Sequence, residues 1–176
     1  MRVIAVLILI GMIAHSVAAG TSKEVFTYAR WLRGDQIRIE KPIDGTTGSV
    51  WIARDAVESA TFCPEESEFI CFYSSYHAIA VPRDLPSQTK SWVHRGVTYT
   101  VEERGVEVRI FGRRISDLIR IRVPSTATSG LRYTGDSGYF LYSPARGIVG
   151  FGYWKDDETT EATYWLVDEK GFGALR

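Results

Sequence analysis

Hydrophobic and polar residues alternate one by one along much of this chain, which is typical of strands that bury one side and expose the other. One clear run, 106–110, sets three aliphatic residues against Glu107 and Arg109. Similar strand-like runs lie at 37–40, 50–53, 69–73, 78–81, 97–101 and 119–123. Turn residues separate them at intervals of roughly 8 to 12 residues. The pattern predicts an all-β fold, either an antiparallel β-sandwich or a small barrel.

The C-terminal third is rich in aromatic residues. It divides into three strand-like runs, 138–142, 147–154 and 162–168, joined by 143–146 and 155–160. Consecutive strands with such short connections predict a three-stranded antiparallel meander. Aromatic side chains fall on both faces of these strands. One face therefore belongs to the core, and the other is either a contact surface or a set of cross-strand pairs.

Helical periodicity is nearly absent. A short helix is predicted over 54–60 and a weaker one over 116–119, although neither has a clear cap and apolar stripe. The proline-containing stretch 82–91 marks a soft internal boundary between two β-rich halves. Two separate units of about 70 residues would each be short of core. The sequence therefore favours one domain, residues 20–176, with two sheets.

The first 19 residues resemble a secretory signal peptide. Arg2 supplies the positive start, an apolar run covers 3–13, and the small residues 16–19 suit a signal peptidase. The apolar run is shorter than the ~20 residues that cross a bilayer as a helix. No cysteine directly follows it for lipid attachment. We therefore expect removal of 1–19 and an exported domain.

The amino-acid composition excludes some classes of binding partner and indicates the kind of organism that makes the protein. The chain carries 21 basic and 21 acidic residues, so loss of Arg2 with the signal peptide leaves a net charge of −1. This balance disfavours nucleic-acid binding and polybasic membrane binding. Short strands broken by prolines and acidic groups disfavour an outer-membrane barrel, so we expect no stable membrane insertion. An excess of arginine over lysine and the absence of asparagine indicate a GC-rich bacterial genome, and hence a periplasmic or secreted protein.

Cys63 and Cys71 are the only cysteines in the sequence, at a sequence separation of eight. In an oxidising compartment this spacing predicts a disulfide that closes a short loop. A redox-active pair usually has Cys-x-x-Cys spacing, and His77 and His94 show no zinc-like spacing with the cysteines. We therefore expect no metal site and no other cofactor.

The sequence 135–138 resembles the Gly-Asp-Ser-Gly motif around the nucleophile of chymotrypsin-like serine proteases. The resemblance implies Ser137 as a nucleophile. The groups that could serve it as base and orienting acid are His77 or His94 with Asp84 or Asp136. The chain departs from that family because no second glycine follows the motif and neither histidine lies in an Ala-Ala-His-Cys segment. A tight turn before a strand is the competing interpretation.

Charged residues are grouped along the chain. Three glutamates, Glu65, Glu66 and Glu68, stand between the cysteines, and a second acidic group lies at 156–161. Both groups suit solvated loop tips, but a loop fixed by a disulfide is also suited to meet a basic partner. The stretch 95–122 holds seven arginines against four acidic residues. These arginines either form the solvent side of a sheet or bind an anionic polymer or an acidic protein cleft.

The sequence 129–133, followed by 139–147, resembles the C-terminal signature of periplasmic and membrane-bound inhibitors of C-type lysozyme. The resemblance implies a small disulfide-bearing β-barrel that plugs an enzyme cleft. It implies three contact residues, Ser129, Tyr133 and Arg146. The similarity covers fewer than 20 residues. The chain departs from the signature at Leu131, Tyr142, Pro144 and Ala145.

Together these features favour an exported bacterial binding protein that acts without a cofactor on a macromolecular partner. A protein binder of the inhibitor or immunity type is the preferred interpretation. A cell-envelope glycan-binding module and a small secreted serine hydrolase that uses Ser137 are the alternatives. The candidate contact residues are Glu65, Glu66, Glu68, Ser129, Tyr133 and Arg146.

Overall fold

The computed structural model describes residues 22–30, 34–52, 56–75, 77–124, 138–154 and 161–175. Twelve strands and no helix occupy these residues, which confirms the predicted all-β fold. In chain order the strands are β1 (Lys23–Arg30), β2 (Gln36–Pro42), β3 (Thr47–Ile52), β4 (Ala56–Phe62), β5 (Phe69–Tyr73), β6 (Ala78–Pro82), β7 (Ser91–His94), β8 (Val97–Ile110), β9 (Arg113–Val123), β10 (Gly138–Ser143), β11 (Gly147–Trp154) and β12 (Glu161–Leu166).

All twelve strands belong to one antiparallel sheet. Each strand pairs with the next along the chain except at β6 and β7, and β1 pairs with β12, where Tyr28 lies opposite Leu166. The sheet thus runs from β6 through β1 and β12 to β7 and rolls into a nearly closed barrel. The expectation of two sheets is wrong, because the β1–β12 ladder joins the two halves of the chain. The predicted boundary, 82–91, lies between the two edge strands.

The two predicted helices are also wrong. The described part of 54–60 belongs to β4, whose Val57 and Ala60 lie opposite Trp51 and Gly48 of β3. The segment 116–119 lies inside β9, at an irregularity in its pairing with β8. The weak helical preference of these two segments is overridden, because pairing with a neighbouring strand satisfies their backbone hydrogen bonds and buries one side of each segment.

The predicted C-terminal meander is confirmed as β10, β11 and β12, with Phe151 opposite both Phe140 and Tyr164. Strand β10 is buried on both faces because the long β8–β9 hairpin covers its outer side. A second core cluster forms there from Val106, Ile110, Ile115, Leu118, Tyr139, Leu141 and Val149. The outward aromatic ring of β10, that of Tyr139, is therefore a core group and not a contact surface.

The C-terminal tail, 167–175, closes one end of the barrel. Phe172 is 4% exposed and lies in the main core. Its ring contacts three other aromatic rings, those of the core residues Phe62 and Phe72 and of the partly buried Phe26, at centroid distances of 5.6, 5.1 and 5.8 Å. The buried Tyr28 hydroxyl donates to the Ile148 carbonyl at 3.1 Å and accepts from the Phe172 amide at 3.1 Å. The tail is thus fixed by both ring packing and main-chain hydrogen bonds.

The two edges of the sheet overlap at the seam of the barrel. On β5, Phe69 and Tyr73 alternate with the core residues Ile70 and Phe72, so they lie on the outer face. The ring of His94, on β7, packs against Phe69 and Tyr73 at centroid distances of 4.3 and 5.9 Å. Strand β7 therefore covers the outside of β5 instead of extending the ladder of β6.

One hydrogen bond also joins the edge strands directly. The Trp92 indole nitrogen donates to the Ala80 carbonyl of β6 at 3.0 Å, and the indole stacks on Tyr99 at 5.6 Å. Ala80 and its β6 neighbours 78–81 are buried, although β6 is an edge of the sheet. Covering an edge in this way keeps its free backbone groups from pairing with another chain.

The up-and-down order places alternate connections at the same end of the barrel. One end, which we call the tail end, carries the tail and five connections, 43–46, 63–68, 83–90, 111–112 and 144–146. The disulfide loop predicted as a contact site is one of them. The tail end therefore brings the disulfide loop and the C-terminal tail to the same end of the barrel.

Glu40 is the one buried carboxylate in the part of the chain that the structure describes, with 5% of its surface exposed. It lies on the outer face of β2, where its two oxygens form ion pairs with Lys23 and Arg38. Burial alone raises the pKa of Glu40, but hydrogen bonds from Lys23 and Arg38 outweigh it and lower the pKa to about 2.

Replacement of Glu40 by glutamine should therefore remove an acid-sensitive part of the stability. The folded pKa lies below the ordinary 4.5, so the carboxylate stabilises the fold above pH 4.5 and loses this effect as the pH falls toward 2. Because Lys23 and Arg38 are about half exposed, solvent screens the pairs, and we expect about 1 kcal/mol. Urea unfolding at pH 6 and pH 3 should show a smaller pH dependence in Glu40→Gln; an unchanged dependence would contradict the assignment.

Candidate binding site at the tail end of the barrel

The predicted disulfide is present between Cys63, which follows β4, and Cys71 in β5. Their Cα atoms are 5.1 Å apart, and the Cys63 amide donates to the Cys71 carbonyl at 3.0 Å. The bridge and this hydrogen bond close the connection between two adjacent strands. By the chain-entropy model, so short a loop adds about 2 to 3 kcal/mol to stability. The local conformation of the loop is thus set independently of any partner.

Main-chain hydrogen bonds hold the loop 64–68, which we call the acidic loop. Within it, the Ser67 amide donates to the Pro64 carbonyl at 3.1 Å, as in a tight turn. Arg83, just after β6, donates its amide to the Glu68 carbonyl at 2.9 Å and its Nε to the Ser67 carbonyl at 2.8 Å. The backbone of the loop is therefore fixed to a neighbouring connection while its acidic side chains extend into solvent. The exposed carboxylates are those of Glu65, Glu66 and Glu68.

A cleft of about 320 Å³ lies between the acidic loop and the C-terminal tail. Cys63, Cys71 and Glu65 line one part of it, and residues 170–175 of the tail line another. Charged side chains of both signs surround it, namely Glu24, Glu65, Lys41, Arg83 and Lys170. Its volume is at the low end for ligand pockets, which favours a side chain or short segment of a partner over a large cofactor.

The predicted contact residues do not form a single site in the structure. Glu65 lines the cleft, while Glu66 and Glu68 are exposed on the acidic loop beside it. Arg146 lines a different cleft of about 230 Å³, together with Phe111 and Asp168. Ser129, Tyr133 and Ser137 lie outside the described residues. The three glutamates therefore lie together on the acidic loop, whereas Arg146 lies at a separate cleft.

The two histidines considered for hydrolysis each have a local partner. His77 is buried in the core, and its Nδ1 lies 3.1 Å from the Ser74 hydroxyl. Burial lowers the pKa of His77 to about 3, so the ring is neutral at physiological pH. His94 is hydrogen bonded through Nδ1 to the Tyr73 hydroxyl. Each imidazole thus has a structural role that explains its position without catalysis.

Most of the arginines between 95 and 122 have partners on the barrel itself. Two lie over aromatic rings, Arg95 over Tyr73 and Arg120 over Tyr139. Three others bind carboxylates or carbonyls: Arg104 binds the Thr89 carbonyl, Arg114 binds Glu107 and Arg122 binds Glu102. These contacts support the interpretation of the arginines as the solvent side of a sheet.

Sequence reasoning missed two features of this region. The tail contributes to the cleft through Phe172, which no periodic pattern indicates. His94 lies beside the disulfide, because a ring nitrogen of His94 and both cysteine sulfurs lie within 4.8 Å of one another. Burial, aided by the nearby Arg95, lowers the pKa of His94, and burial raises the pKa of Tyr73. His94 and Tyr73 are therefore both neutral near pH 7.

Comparison of the chain with protein-family models, with curated proteins and with solved structures gives no match. No helix long and apolar enough to cross a bilayer occurs among the residues that the structure describes. Neither result identifies a partner. A barrel fold alone does not specify a function, which depends on the residues of a site.

Proposed function

We propose that this protein is an exported binding protein that engages a basic surface of another protein through the acidic loop. The observation that carries the proposal is the constraint on that loop. A disulfide closes it, Arg83 fixes its backbone, and three carboxylates remain exposed at its tip.

A fixed loop favours binding because little conformational freedom is lost when it meets a partner. Immobilising a flexible side chain or loop residue at an interface costs about 0.5 to 1.5 kcal/mol. The backbone of the acidic loop is already ordered in the folded protein, so binding loses only the conformational freedom of its side chains. Three neighbouring carboxylates also attract a basic surface over several ångströms and speed the encounter. The adjacent cleft offers space for a side chain of that partner.

The test is capture of a partner by the immobilised protein from envelope and secreted fractions of the organism that makes it. Three forms are compared: the unaltered protein, the variant E65Q/E66Q/E68Q, and the matched variant E103Q/E107Q/D117N. The second variant removes the same charge from exposed positions on the β8–β9 hairpin. We expect the unaltered protein and the hairpin variant to retain the same basic protein, and the loop variant to bind it at least about tenfold more weakly.

Salt should release the captured protein, because contacts between exposed charges are screened. Replacement of both cysteines by serine should weaken capture as well, since the loop then loses its closure. A partner that the loop variant retains as tightly as the unaltered protein would show that another surface binds it. Failure of the unaltered protein to retain any basic protein would also argue against the proposal.

A further inference from the structure

The disulfide and His94 form a compact group of donor atoms at the seam of the barrel. Cys63 follows β4, Cys71 lies on the outer face of β5, and His94 is the last residue of β7. Both sulfurs and a ring nitrogen of His94 lie within 4.8 Å of one another. The three residues come from strands near opposite edges of the sheet, so their proximity depends on the overlap of β7 and β5.

We infer that reduction of the Cys63–Cys71 bridge converts this group into a binding site for a thiophilic metal ion such as Zn²⁺. Two thiolates and one imidazole are ligands that Zn²⁺ accepts, at about 2.3 Å for sulfur and 2.0 to 2.1 Å for nitrogen. Once the S–S bond is broken, the two sulfurs need to separate to about 3.8 Å, the spacing set by 2.3 Å bonds at a tetrahedral ion. The imidazole nitrogen already lies within 4.8 Å of both sulfurs. Three protein ligands leave one position of a tetrahedral ion for water or an exogenous ligand.

The surroundings of His94 hold its ring in place. Its Nδ1 is hydrogen bonded to the Tyr73 hydroxyl, and a hydrogen bond at one ring nitrogen orients the ring of a metal-binding histidine. The ring also packs against Phe69 at a centroid distance of 4.3 Å and stacks on Tyr73 at 5.9 Å. A fixed ring lowers the cost of ligation, as do the hydrogen bonds that orient histidines in natural metal sites.

The cleft at the tail end gives access to the sulfurs, since Cys63 and Cys71 both line it. Because the two residues are only 8% and 1% exposed, the phosphine reductant is applied in large excess to reach the bridge through this cleft. In that reaction the S–S bond breaks, two electrons pass from phosphorus to the sulfurs, and water supplies two protons and the oxygen of the phosphine oxide. Binding of Zn²⁺ then displaces the two thiol protons.

The test uses the full chain without a histidine tag, both oxidised and reduced with a phosphine. Zn²⁺ affinity is measured by competition with a chromophoric chelator, and Co²⁺ serves as the spectroscopic probe. We expect one equivalent of tightly bound metal in the reduced protein only, with a thiolate-to-cobalt charge-transfer band. The variant C63S/C71S should show neither. Equal binding by the oxidised protein would overturn the inference.

The role of His94 is tested with His94→Gln and the matched variant Arg95→Lys. Arg95 is the next residue and contacts the same Tyr73 ring, but it offers no ligand to a metal, and lysine keeps the positive charge beside His94. We expect His94→Gln to weaken Zn²⁺ binding by at least about tenfold and to alter the Co²⁺ spectrum, and Arg95→Lys to change neither. Unchanged binding by His94→Gln, or loss of the β-sheet circular dichroism signal on reduction, would overturn the inference, because the site requires both the imidazole and the overlapped strands.

Discussion

Truncation of Phe172 to alanine should lower the free energy of unfolding by about 3 to 5 kcal/mol, the range for removal of a fully buried aromatic ring. The ring lies between three other aromatic rings, and the barrel walls around it are strands that cannot collapse into the space it leaves. The cavity would open at the tail end, next to the candidate site. Urea unfolding monitored by fluorescence should give the value directly.

The matched control is Phe111→Ala, which removes the same ring from a hairpin turn where 44% of the residue is exposed. Its effect should stay within about 1 kcal/mol. Similar losses from both variants would show that the tail does not stabilise the barrel core. In the expected case, the Phe172 variant should also bind the captured partner less well, since the cleft loses one of its walls.

Replacement of Gly147 by alanine should destabilise the protein by about 3 kcal/mol, from backbone strain and overpacking together. Gly147 has a φ of +73° and lies where β11 begins. A Cβ atom there would lie 2.4 Å from the Phe172 carbonyl oxygen and 2.5 Å from the Ala174 amide nitrogen. Both atoms belong to the tail backbone, which is fixed by its own hydrogen bonds and so cannot move aside easily.

Gly96→Ala separates the two causes. Gly96 has a similar φ of +78°, but nothing lies within 4 Å of the position of its Cβ atom. This variant should therefore lose only about 1 kcal/mol, the cost of a left-handed backbone for alanine. The difference between the two variants in urea unfolding measures the close approach of the tail to β11. Equal losses would mean that φ alone determines both effects.

The strands were predictable where the pattern is local. Alternation over 106–110 and the short connections of the C-terminal meander require only neighbouring residues, and both predictions are confirmed. The pairing of β1 with β12 was not predictable, because it joins segments far apart in the chain and leaves no periodic signal. The predicted helix at 54–60 failed for a different reason, because the weak local preference of this segment gives way to pairing with the preceding strand, β3.

The residues of the candidate site likewise divide into those that a local sequence pattern predicts and those that only the fold brings together. Glu65 and the disulfide could be found from sequence because spacing and charge are local properties. Phe172 could not, because one phenylalanine between two glycines forms no amphipathic pattern. His94 could not be connected with the cysteines either, since their proximity arises from the overlap of the sheet edges.

The pairing of β1 with β12 also has a consequence for the order of folding. Every other ladder joins consecutive strands, so the segments β1–β6 and β7–β12 can each form by successive hairpins as the chain emerges. The ladder between Tyr28 and Leu166 cannot form until the last strand has been synthesised. Contacts between residues so distant in sequence slow folding and leave strand edges open in the meantime. The edges of β1 and β12 therefore stay open to pairing with other chains until this one ladder has closed.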